Sequence, residues 1–520
     1  MSVFSLPRTL VSKFKSWRNH RQQRLTRDKQ LKLITRSGYF DPDWYLSVYP
    51  DVASDSHWHH NPAEHYLRFG AAENRDPGPC FSSSGYKLLQ PSAAEITNPL
   101  LDAISRFSAA AVSAKNGGSG DMSQLTQFAQ VSVDGVNELN ADWPWLLICA
   151  HSSGPQLFGA ERSLLDVLHG LKQLPWNLLV VLPSVCSKPY LQSVQDNATK
   201  VVVMPYSWWR QDKPAEPRTV ALFKALMANY PFAACYCNTL VLNEPLLAAQ
   251  ALAIPTIVHV RELPEADKDL CRRLAASPAQ IRQHMLSLAD YCIANSASVA
   301  AYINAPERTT VIANAVDTDL FISCQPAQFA DNQQLRIGLI SSNLPKKGLA
   351  DFGELARLLA AYRDRIKLCL IGPDNEYTER LKQACARGEL PDIIEFAGYV
   401  PDVITALQNL HVVLNLSHFQ ESFGRTVLEA MAAGRAVICY DWGALTELVQ
   451  HNSTGILVPF SKVETVAEAV INLYNRPQLI NQFGAAGQSY VNAHYSKPQL
   501  AARLEQFFQI FQQGEKQLEP

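Results

Sequence analysis

The sequence predicts an α/β protein that contains two doubly wound domains in tandem. From residue 141 onward, short apolar runs alternate with helical stretches, and a polar break at 321–334 divides them into two series. The apolar runs consist of Val, Ile and Leu without polar alternation, which is typical of strands buried on both faces of a parallel sheet. A length of 520 residues allows two to four domains. In sheets of this kind, ligands bind beyond the carboxyl ends of the strands, so we expect a cleft between the two domains.

The chain begins with a basic segment, predicted to be an amphipathic tail over 1–36. Ten Lys or Arg residues and a single acid, Asp28, lie between Arg8 and Arg36, interleaved with apolar side chains. Two interpretations stay open for residues 8–36. The segment can contact an anionic membrane surface, or it can be a solvated, partly helical tail.

Residues 37–81 are aromatic-rich and punctuated by proline, which predicts a small helical module. Its histidines, His57, His59, His60 and His65, lack an acid or a cysteine at a matching ligand spacing, which favours local packing over a metal site. Residues 82–140 are rich in Ser, Ala, Asn and Gly, and they predict a linker with one helix in it.

The two α/β domains are predicted over 141–325 and 326–495, followed by a C-terminal helix over 496–520. Seven strand-like runs mark the first domain, at 145–151, 178–183, 200–205, 233–238, 256–260, 291–295 and 310–314. Six mark the second, at 336–341, 367–372, 394–399, 412–417, 436–440 and 455–460.

Composition excludes several classes of function. A net charge of −2 does not attract a polyanion, so the overall charge does not favour binding of nucleic acid. Eleven cysteines without a CxxC pair indicate reduced thiols. The N-terminus lacks a signal-peptide core, and no run of eighteen apolar residues occurs. We therefore expect a soluble, cytoplasmic protein. The motifs for dinucleotide, P-loop, nucleophile-elbow and HExxH chemistry are also missing.

The stretch ESFGRTVLEAMAAG at 421–434 carries the strongest candidate site. Eight helical residues between Glu421 and Glu429 rise about 12 Å, whereas the carboxyl pairs of glycosidases lie roughly 5 to 9.5 Å apart. This distance favours an arrangement in which each glutamate binds one end of a single long ligand. Ser422, Phe423, Gly424 and Arg425 lie where the helix begins, where backbone N–H groups can bind an anion.

The segment from Ser417 to Pro459 resembles the carboxyl-terminal half of the group 1 family of retaining glycosyltransferases, which have the GT-B fold of two Rossmann-like domains. Glu421 and Glu429 match the family's E-x7-E signature, and its glycine-glutamate-GxLV segment matches at Gly443, Glu447 and Gly455. The resemblance covers roughly 141–500. It implies that Glu421 faces the donor sugar and that Glu429 holds the ribose of a nucleoside-diphosphate sugar.

The same resemblance assigns further residues. Gly159 and Glu161 match the loop near the donor phosphates, and His259 lies where relatives carry a histidine near the reacting sugar, although a buried structural histidine is the alternative. Lys347 matches the diphosphate-binding lysine. Ser342 stands where most relatives have an arginine, so either Lys346 or Arg425 supplies the second charge, or leaving-group stabilisation is weaker.

The family likeness implies a retaining, metal-independent enzyme without a cofactor. It would move a sugar from a nucleotide sugar to a glycan or lipid-linked acceptor of a bacterial surface polysaccharide. The 37–81 module resembles one found beside such enzymes. A nucleotide-sugar epimerase of the same fold and a non-catalytic scaffold are the alternatives. Trp208 and Trp209 could stack on an acceptor sugar or could simply pack in the protein.

Overall fold

A computed structural model describes residues 26–90, 96–113, 126–151, 157, 159–185, 187–324, 329 and 333–518, with 107–113 and 514–518 described by their backbone alone. Fourteen strands lie in these ranges: β1 Val131–Asp134, β2 Trp145–Cys149, β3 Asn177–Leu182, β4 Lys200–Val203, β5 Phe232–Cys237, β6 Thr256–Val260, β7 Tyr291–Ala294, β8 Thr309–Val311, β9 Leu335–Ile340, β10 Ile366–Ile371, β11 Ile394–Gly398, β12 Val412–Asn415, β13 Ala436–Tyr440 and β14 Ile456–Val458.

The helices in the described part of the chain are numbered from α1, which covers residues 26–36. The N-terminal half contains α2 Pro42–Val48, α3 Pro50–Ser54, α4 Pro62–His65, α5 Ser83–Leu88, α6 Pro99–Ser113, α7 Gly159–Leu171, α8 Lys188–Gln195, α9 Pro217–Ala228, α10 Glu244–Gln250, α11 Lys268–Leu274, α12 Pro278–Leu288 and α13 Ala297–Ile303. The C-terminal half contains α14 Leu349–Leu358, α15 Glu376–Ala386, α16 Val403–Gln408, α17 Arg425–Ala432, α18 Leu445–Leu448, α19 Val463–Asn475, α20 Pro477–His494 and α21 Lys497–Leu518. None of the helices described is both long and apolar enough to cross a membrane.

Two separate sheets confirm the predicted pair of doubly wound domains. The first has the order β1-β4-β3-β2-β5-β6-β7-β8, and the second has the order β11-β10-β9-β12-β13-β14. Every pairing is parallel except that of β1 with β4. Strands β2 and β3 are buried along their whole length, as expected for apolar runs that are covered by helices on both faces.

Residues 82–140 differ from the expected linker, because they contain α5, α6 and β1. Tyr86, Leu100, Phe128 and Val131 are buried in the same apolar cluster as the aromatic side chains of the module, and β1 extends the first sheet at its edge. These few apolar side chains are spaced widely among small polar residues, so composition alone hides them. The glycine-rich part at 114–121 lies outside the described residues.

The N-terminal module packs against the first domain at the carboxyl ends of β3 and β4. The backbone N–H of Val185, just after β3, donates to the Ser84 hydroxyl at 3.0 Å, and Arg218, at the start of α9, forms an ion pair with Asp41. Helix α1 contributes Ile34 to the module core. The module and helix α5, which follows it, are therefore joined to the first domain by polar contacts.

Helix α21 follows the second domain in sequence but packs on the first. Leu500, Leu504, Phe507, Phe508 and Phe511 belong to the apolar cluster that covers one face of the first sheet, and α21 runs against α7. The ring of Phe508 lies 5.1 Å from that of Trp176. The predicted C-terminal helix is therefore a structural part of the first domain.

We expect Phe508→Ala to destabilise the protein by roughly 3–5 kcal/mol, because it leaves a cavity in this cluster. Phe508 is 3% exposed, whereas Ile510 on the same helix is 61% exposed. Ile510→Ala is therefore the matched control, with an expected change within about 0.5 kcal/mol. Urea denaturation of both variants measures the difference, and equal midpoints would show that α21 does not stabilise the first domain.

Candidate functional site

A cavity of about 380 Å³ opens between the two domains. Its floor comes from the second domain, at the carboxyl ends of β9, β10 and β12, where Ser341, Gly372 and Asn415 line it. Helix α7 of the first domain closes one side with Gly159 and Arg162. The cavity therefore lies at the place where a doubly wound sheet binds its ligand.

The N-terminus of α17 forms part of the cavity wall. Gly424, Arg425 and Thr426 line the cavity, and no described side chain caps the first turn of the helix. Gly424 has a φ of +94°, and a Cβ at this position would lie 2.5 Å from Leu445 Cδ2, so glycine is required there. The free N–H groups and the helix dipole together favour an anionic ligand.

Glu421 and Glu429 both line this cavity. The Glu421 carboxylate accepts a hydrogen bond from Lys347 Nζ at 2.6 Å. Glu429 Oε1 accepts from Arg425 Nε at 2.9 Å, and both of its oxygens contact Arg162 Nη1, at 3.3 and 3.4 Å. The pair that the sequence placed on two ends of one ligand thus lies in one cavity, each glutamate beside a cation.

Arg425 joins the two domains. Its Nη1 donates to Asp166 at 2.7 Å, to the Ser163 hydroxyl at 3.3 Å and to the Ala315 carbonyl at 3.3 Å, while its Nε binds Glu429. Burial works against the charged guanidinium, but Asp166 and Glu429 hold the pKa of Arg425 above its ordinary value. Burial also raises the pKa of Asp166, although Arg425 acts in the opposite direction.

The two neighbouring lysines share the Phe419 ring, but their ammonium groups pair with different carboxylates. Lys347 lines the cavity. Lys346 Nζ instead lies 3.4 Å from Asp267 Oδ2 of the first domain and 4.6 Å from the centroid of the Phe419 ring. The sequence predicts a donor-binding role for both lysines, but Lys346 is not among the residues that line the cavity, and it pairs with Asp267 instead.

Two residues at the turn before α17 are positioned by packing. Asn295 Nδ2 donates to the Ser422 hydroxyl at 3.5 Å, across the cleft. The Phe423 side chain is buried in the apolar core of the second domain, so neither residue lines the cavity and the Phe423 ring is not available to a ligand there.

Trp209 does not support the stacking hypothesis for an acceptor sugar. Its side chain is buried, its Nε1 donates to the Leu240 carbonyl at 3.3 Å, and its ring lies 4.0 Å from that of His284. Trp208 is half-buried against the same core, with the Arg273 guanidinium over its ring.

His259 is the fourth residue of β6 and is 1% exposed. Arg261 Nη2 approaches His259 Nδ1 at 3.3 Å, and the Tyr236 hydroxyl contacts the same nitrogen. A guanidinium can only donate, so Nδ1 accepts and the proton lies on Nε2, which has no partner among the described residues. Burial, together with Arg261, lowers the pKa of His259 well below its usual range.

Possible metal ligands lie apart from the cavity. The sulfur atoms of Cys149, Cys235 and Cys237 form a group within 4.8 Å, which is the one candidate among the described residues. It is fully buried in the first domain. Burial raises the pKa of Cys149 and Cys237, whereas hydrogen bonds from these two thiols lower the pKa of Cys235, so two of the three sulfur atoms resist the thiolate form that binds metals. In the module, His65 is buried and its Nδ1 lies 3.0 Å from the Tyr45 hydroxyl, as local packing predicts.

Three residues without a predicted contact connect the domains, and two of them, Arg162 and Asp166, were not predicted as site residues at all. Arg162 and Asp166 lie on α7, one and two turns after Gly159. Glu447 of the second domain accepts hydrogen bonds from the backbone N–H groups of Ala297 and Ser298, both at 2.8 Å, at the start of α13 in the first domain. Only the helical spacing from Gly159 could have indicated Arg162, and Glu447 was visible only as a family position.

Two family profiles match the chain in succession. "Glycosyltransferase Family 4" matches residues 159–320, and "Glycosyl transferases group 1" matches residues 325–490. Solved structures with the same arrangement of domains include HepE of Anabaena, in complex with UDP-glucose, and a sucrose-phosphate synthase of Thermosynechococcus elongatus. HepE has a TM-score of 0.57 at 20% identity and covers 70% of this chain and 99% of its own. The synthase has a TM-score of 0.57 at 18% identity and covers 72% and 100%.

Curated relatives are similar over a shorter stretch. A GDP-mannose-dependent alpha-(1-6)-phosphatidylinositol monomannoside mannosyltransferase of Mycobacterium tuberculosis is 31% identical over 209 residues, 37% of this chain and 53% of its own length. The lipopolysaccharide core biosynthesis mannosyltransferase LpcC of Rhizobium leguminosarum is 28% identical over 232 residues, 41% and 63% of the two chains. The chain thus spans about half to two thirds of these relatives.

The two facing sheets and the cavity between them define the GT-B fold. With both profiles matched, the chain belongs to the group 1 glycosyltransferases.

The burial of His259 leads to a prediction about pH. The folded protein keeps this imidazole neutral, whereas the unfolded chain binds a proton near pH 6.5. Its contribution to the free energy of unfolding is therefore full above pH 6.5 and falls as the pH drops below it, by at most about 1.4 kcal/mol per pH unit. We expect His259→Gln to unfold with a shallower pH dependence between pH 7.5 and 5.

Urea midpoints measured at several pH values test this expectation. His60→Gln is the control, because His60 is exposed on the module. Identical pH slopes for wild type and His259→Gln would contradict a buried neutral imidazole.

Proposed function

We propose that this protein is a retaining, metal-independent glycosyltransferase that uses a nucleoside-diphosphate sugar as its donor. The acceptor is a glycan or a lipid-linked glycan of a bacterial surface polysaccharide. The observation that carries the proposal is the interdomain cavity, which is lined by two separate carboxylates and by the uncapped N-terminus of α17.

The cavity suits the three parts of such a donor. Glu421 would accept hydrogen bonds from sugar hydroxyls, and Glu429 would accept them from the ribose. Lys347 and the start of α17 at Gly424–Arg425 would bind the diphosphate between them. The positive groups that offset the charge of the leaving diphosphate are thus supplied by the chain itself, which supports a reaction without metal.

Retention of configuration would follow from attack of the acceptor on the face that the diphosphate leaves. This route needs no nucleophile from the protein, so we assign Glu421, which accepts a hydrogen bond from Lys347 at 2.6 Å, to positioning of the sugar. His259 does not line the cavity in this structure. Its role near the reacting sugar stays a prediction, in which the unpartnered Nε2–H would donate a hydrogen bond. Closure of the domains over the donor excludes the water that would otherwise hydrolyse it.

The acceptor assignment rests on the relatives and on the basic N-terminal segment. The relatives named above are mannosyltransferases of lipopolysaccharide core and of phosphatidylinositol mannoside. In the described part of the basic segment, Lys29, Lys32 and Arg36 are exposed on α1, which suits contact with an anionic membrane, on its cytoplasmic face. Residues 8–25 of this segment lie outside the described residues.

The first test is thermal unfolding of the full-length protein with UDP-, GDP-, ADP- and dTDP-sugars, in EDTA. A ligand at a hundred times its Kd stabilises a protein by about 2.7 kcal/mol, which raises Tm by a few degrees. A shift with one nucleotide identifies the donor base. Formation of a glycosylated product then separates a transferase from an epimerase, while no shift with any donor favours the scaffold alternative.

We expect Glu429→Gln to weaken binding of the donor by about 10-fold or more, because a hydrogen bond to a charged group is lost. The ribose assignment is tested with the 2′-deoxy analogue of the donor. Wild type should bind this analogue more weakly than the ribonucleotide, and the difference should be smaller in Glu429→Gln, whose amide oxygen is an uncharged acceptor. Equal discrimination by both proteins would assign the ribose to another residue.

Lys347→Ala should lower kcat by about 100-fold or more, because the loss of one preorganised charge at the leaving group has effects of this size. Lys346→Ala is the matched control and should retain nearly full activity, since Lys346 binds Asp267 outside the cavity. Turnover assays of both variants decide the assignment, and a larger loss in Lys346→Ala would reverse it.

A further inference from the structure

Three cations line the interdomain cavity, and they differ in how firmly the protein holds them. Lys347 forms one short ion pair, with Glu421 at 2.6 Å. Arg425 is bound at 2.7 and 2.9 Å to two carboxylates, and its side chain is 14% exposed. Arg162 has only long contacts, of 3.3 to 3.5 Å, and its side chain is 29% exposed.

Arg162 is therefore the cation that a ligand can recruit most easily. N–H···O hydrogen bonds are usually 2.7–3.2 Å long, so the contacts of Arg162 with Glu429 and with the Pro401 carbonyl are weak. Arg425 is committed to Asp166, and moving it would leave a buried carboxylate unpaired. Lys346 points away from the cavity to Asp267.

We propose that Arg162 binds the diphosphate of the nucleotide donor, in exchange for its contact with Glu429. This inference rests on the proposed function and names one more residue of its site. A diphosphate offers a planar guanidinium two acceptor oxygens, which is a stronger arrangement than the present long contacts. The ribose hydroxyls then take the Glu429 oxygens that Arg162 leaves.

Binding of Arg162 to the diphosphate would compensate for Ser342, which stands where a second cation is expected. Ser342 lines the cavity in the loop after β9 and carries no charge. Arg162 reaches the cavity from α7 of the other domain, so the second positive charge at the phosphates comes from the first domain. A donor bound in this way contacts both domains.

The experiment compares nucleoside diphosphates with their nucleosides by calorimetry, on full-length wild type and on Arg162→Gln. The probes are UDP, GDP, ADP and dTDP, with uridine, guanosine, adenosine and thymidine. We expect Arg162→Gln to weaken binding of the preferred nucleoside diphosphate by about 10- to 100-fold, the worth of a charge-assisted contact. Binding of the nucleoside should change by less than about threefold, because it has no phosphate to lose.

A second variant tests whether the missing quantity is positive charge. Ser342→Arg, placed in the Arg162→Gln background, should recover at least part of the lost affinity for the diphosphate. The control is Arg272→Gln on α11, an arginine that is 78% exposed and pairs only with Asp269 among the described residues. This control should bind like wild type.

Each outcome has a definite meaning. If Arg162→Gln binds the diphosphate as tightly as the wild-type protein does, the inference is overturned. The proposed function still stands in that case, because the wild-type protein binds the diphosphate. Equal weakening of nucleoside and diphosphate also overturns it, because Arg162 would then act on the nucleoside end. Wild type that binds none of the four diphosphates overturns the proposed function, and this inference with it.

Discussion

The ion pairs of Arg425 are the interaction on which the architecture of the site depends. This guanidinium is nearly removed from water and touches both domains, with Asp166 on α7 and Glu429 on its own helix. A buried charge that loses one partner typically costs 3–5 kcal/mol, roughly. The position of α17 against α7 is therefore fixed by charge as well as by shape. The same contact therefore holds the residues that line the cavity, including both glutamates, in place.

The same ion pairs determine which charged residues a ligand in the cavity can contact. Because Asp166 satisfies Arg425 inside the protein, the positive field of α17 reaches the cavity mainly through its backbone N–H groups. Lys347 and Arg162 remain as the cations that a ligand can contact. Glu447, which accepts from the first turn of α13, fixes the domains at a second point some distance along the chain. Arg425 and Glu447 are thus two of several polar contacts between the domains, and each of them involves the first turn of a helix.

The sequence predicted both sheets, because uninterrupted apolar runs have a single stable environment in a protein of this size. All thirteen runs became strands, and β1 escaped notice because Val131–Asp134 alternates with polar residues at a sheet edge. Glu421, Glu429 and Lys347 were placed in one cavity by spacing and family likeness. Lys346 pairs with Asp267 outside the cavity, a contact that its position beside Lys347 could not show, so its role in donor binding stays a prediction. Arg162 and Asp166 were missed because their partners lie more than 250 residues away in sequence.

Helix α21 has a consequence for how the chain reaches this structure. It lies 326 residues beyond the end of α7 (497 minus 171), the helix on which it packs. At a translation rate of roughly 5–20 residues per second, the ribosome needs about 15 to 60 seconds to make that interval. During this time Trp176 and the apolar face of α7 are not yet covered by α21. The first of the two α/β domains to be synthesised is therefore the later one to be completed, so we expect nascent chains to need a chaperone on this apolar surface until α21 has been made.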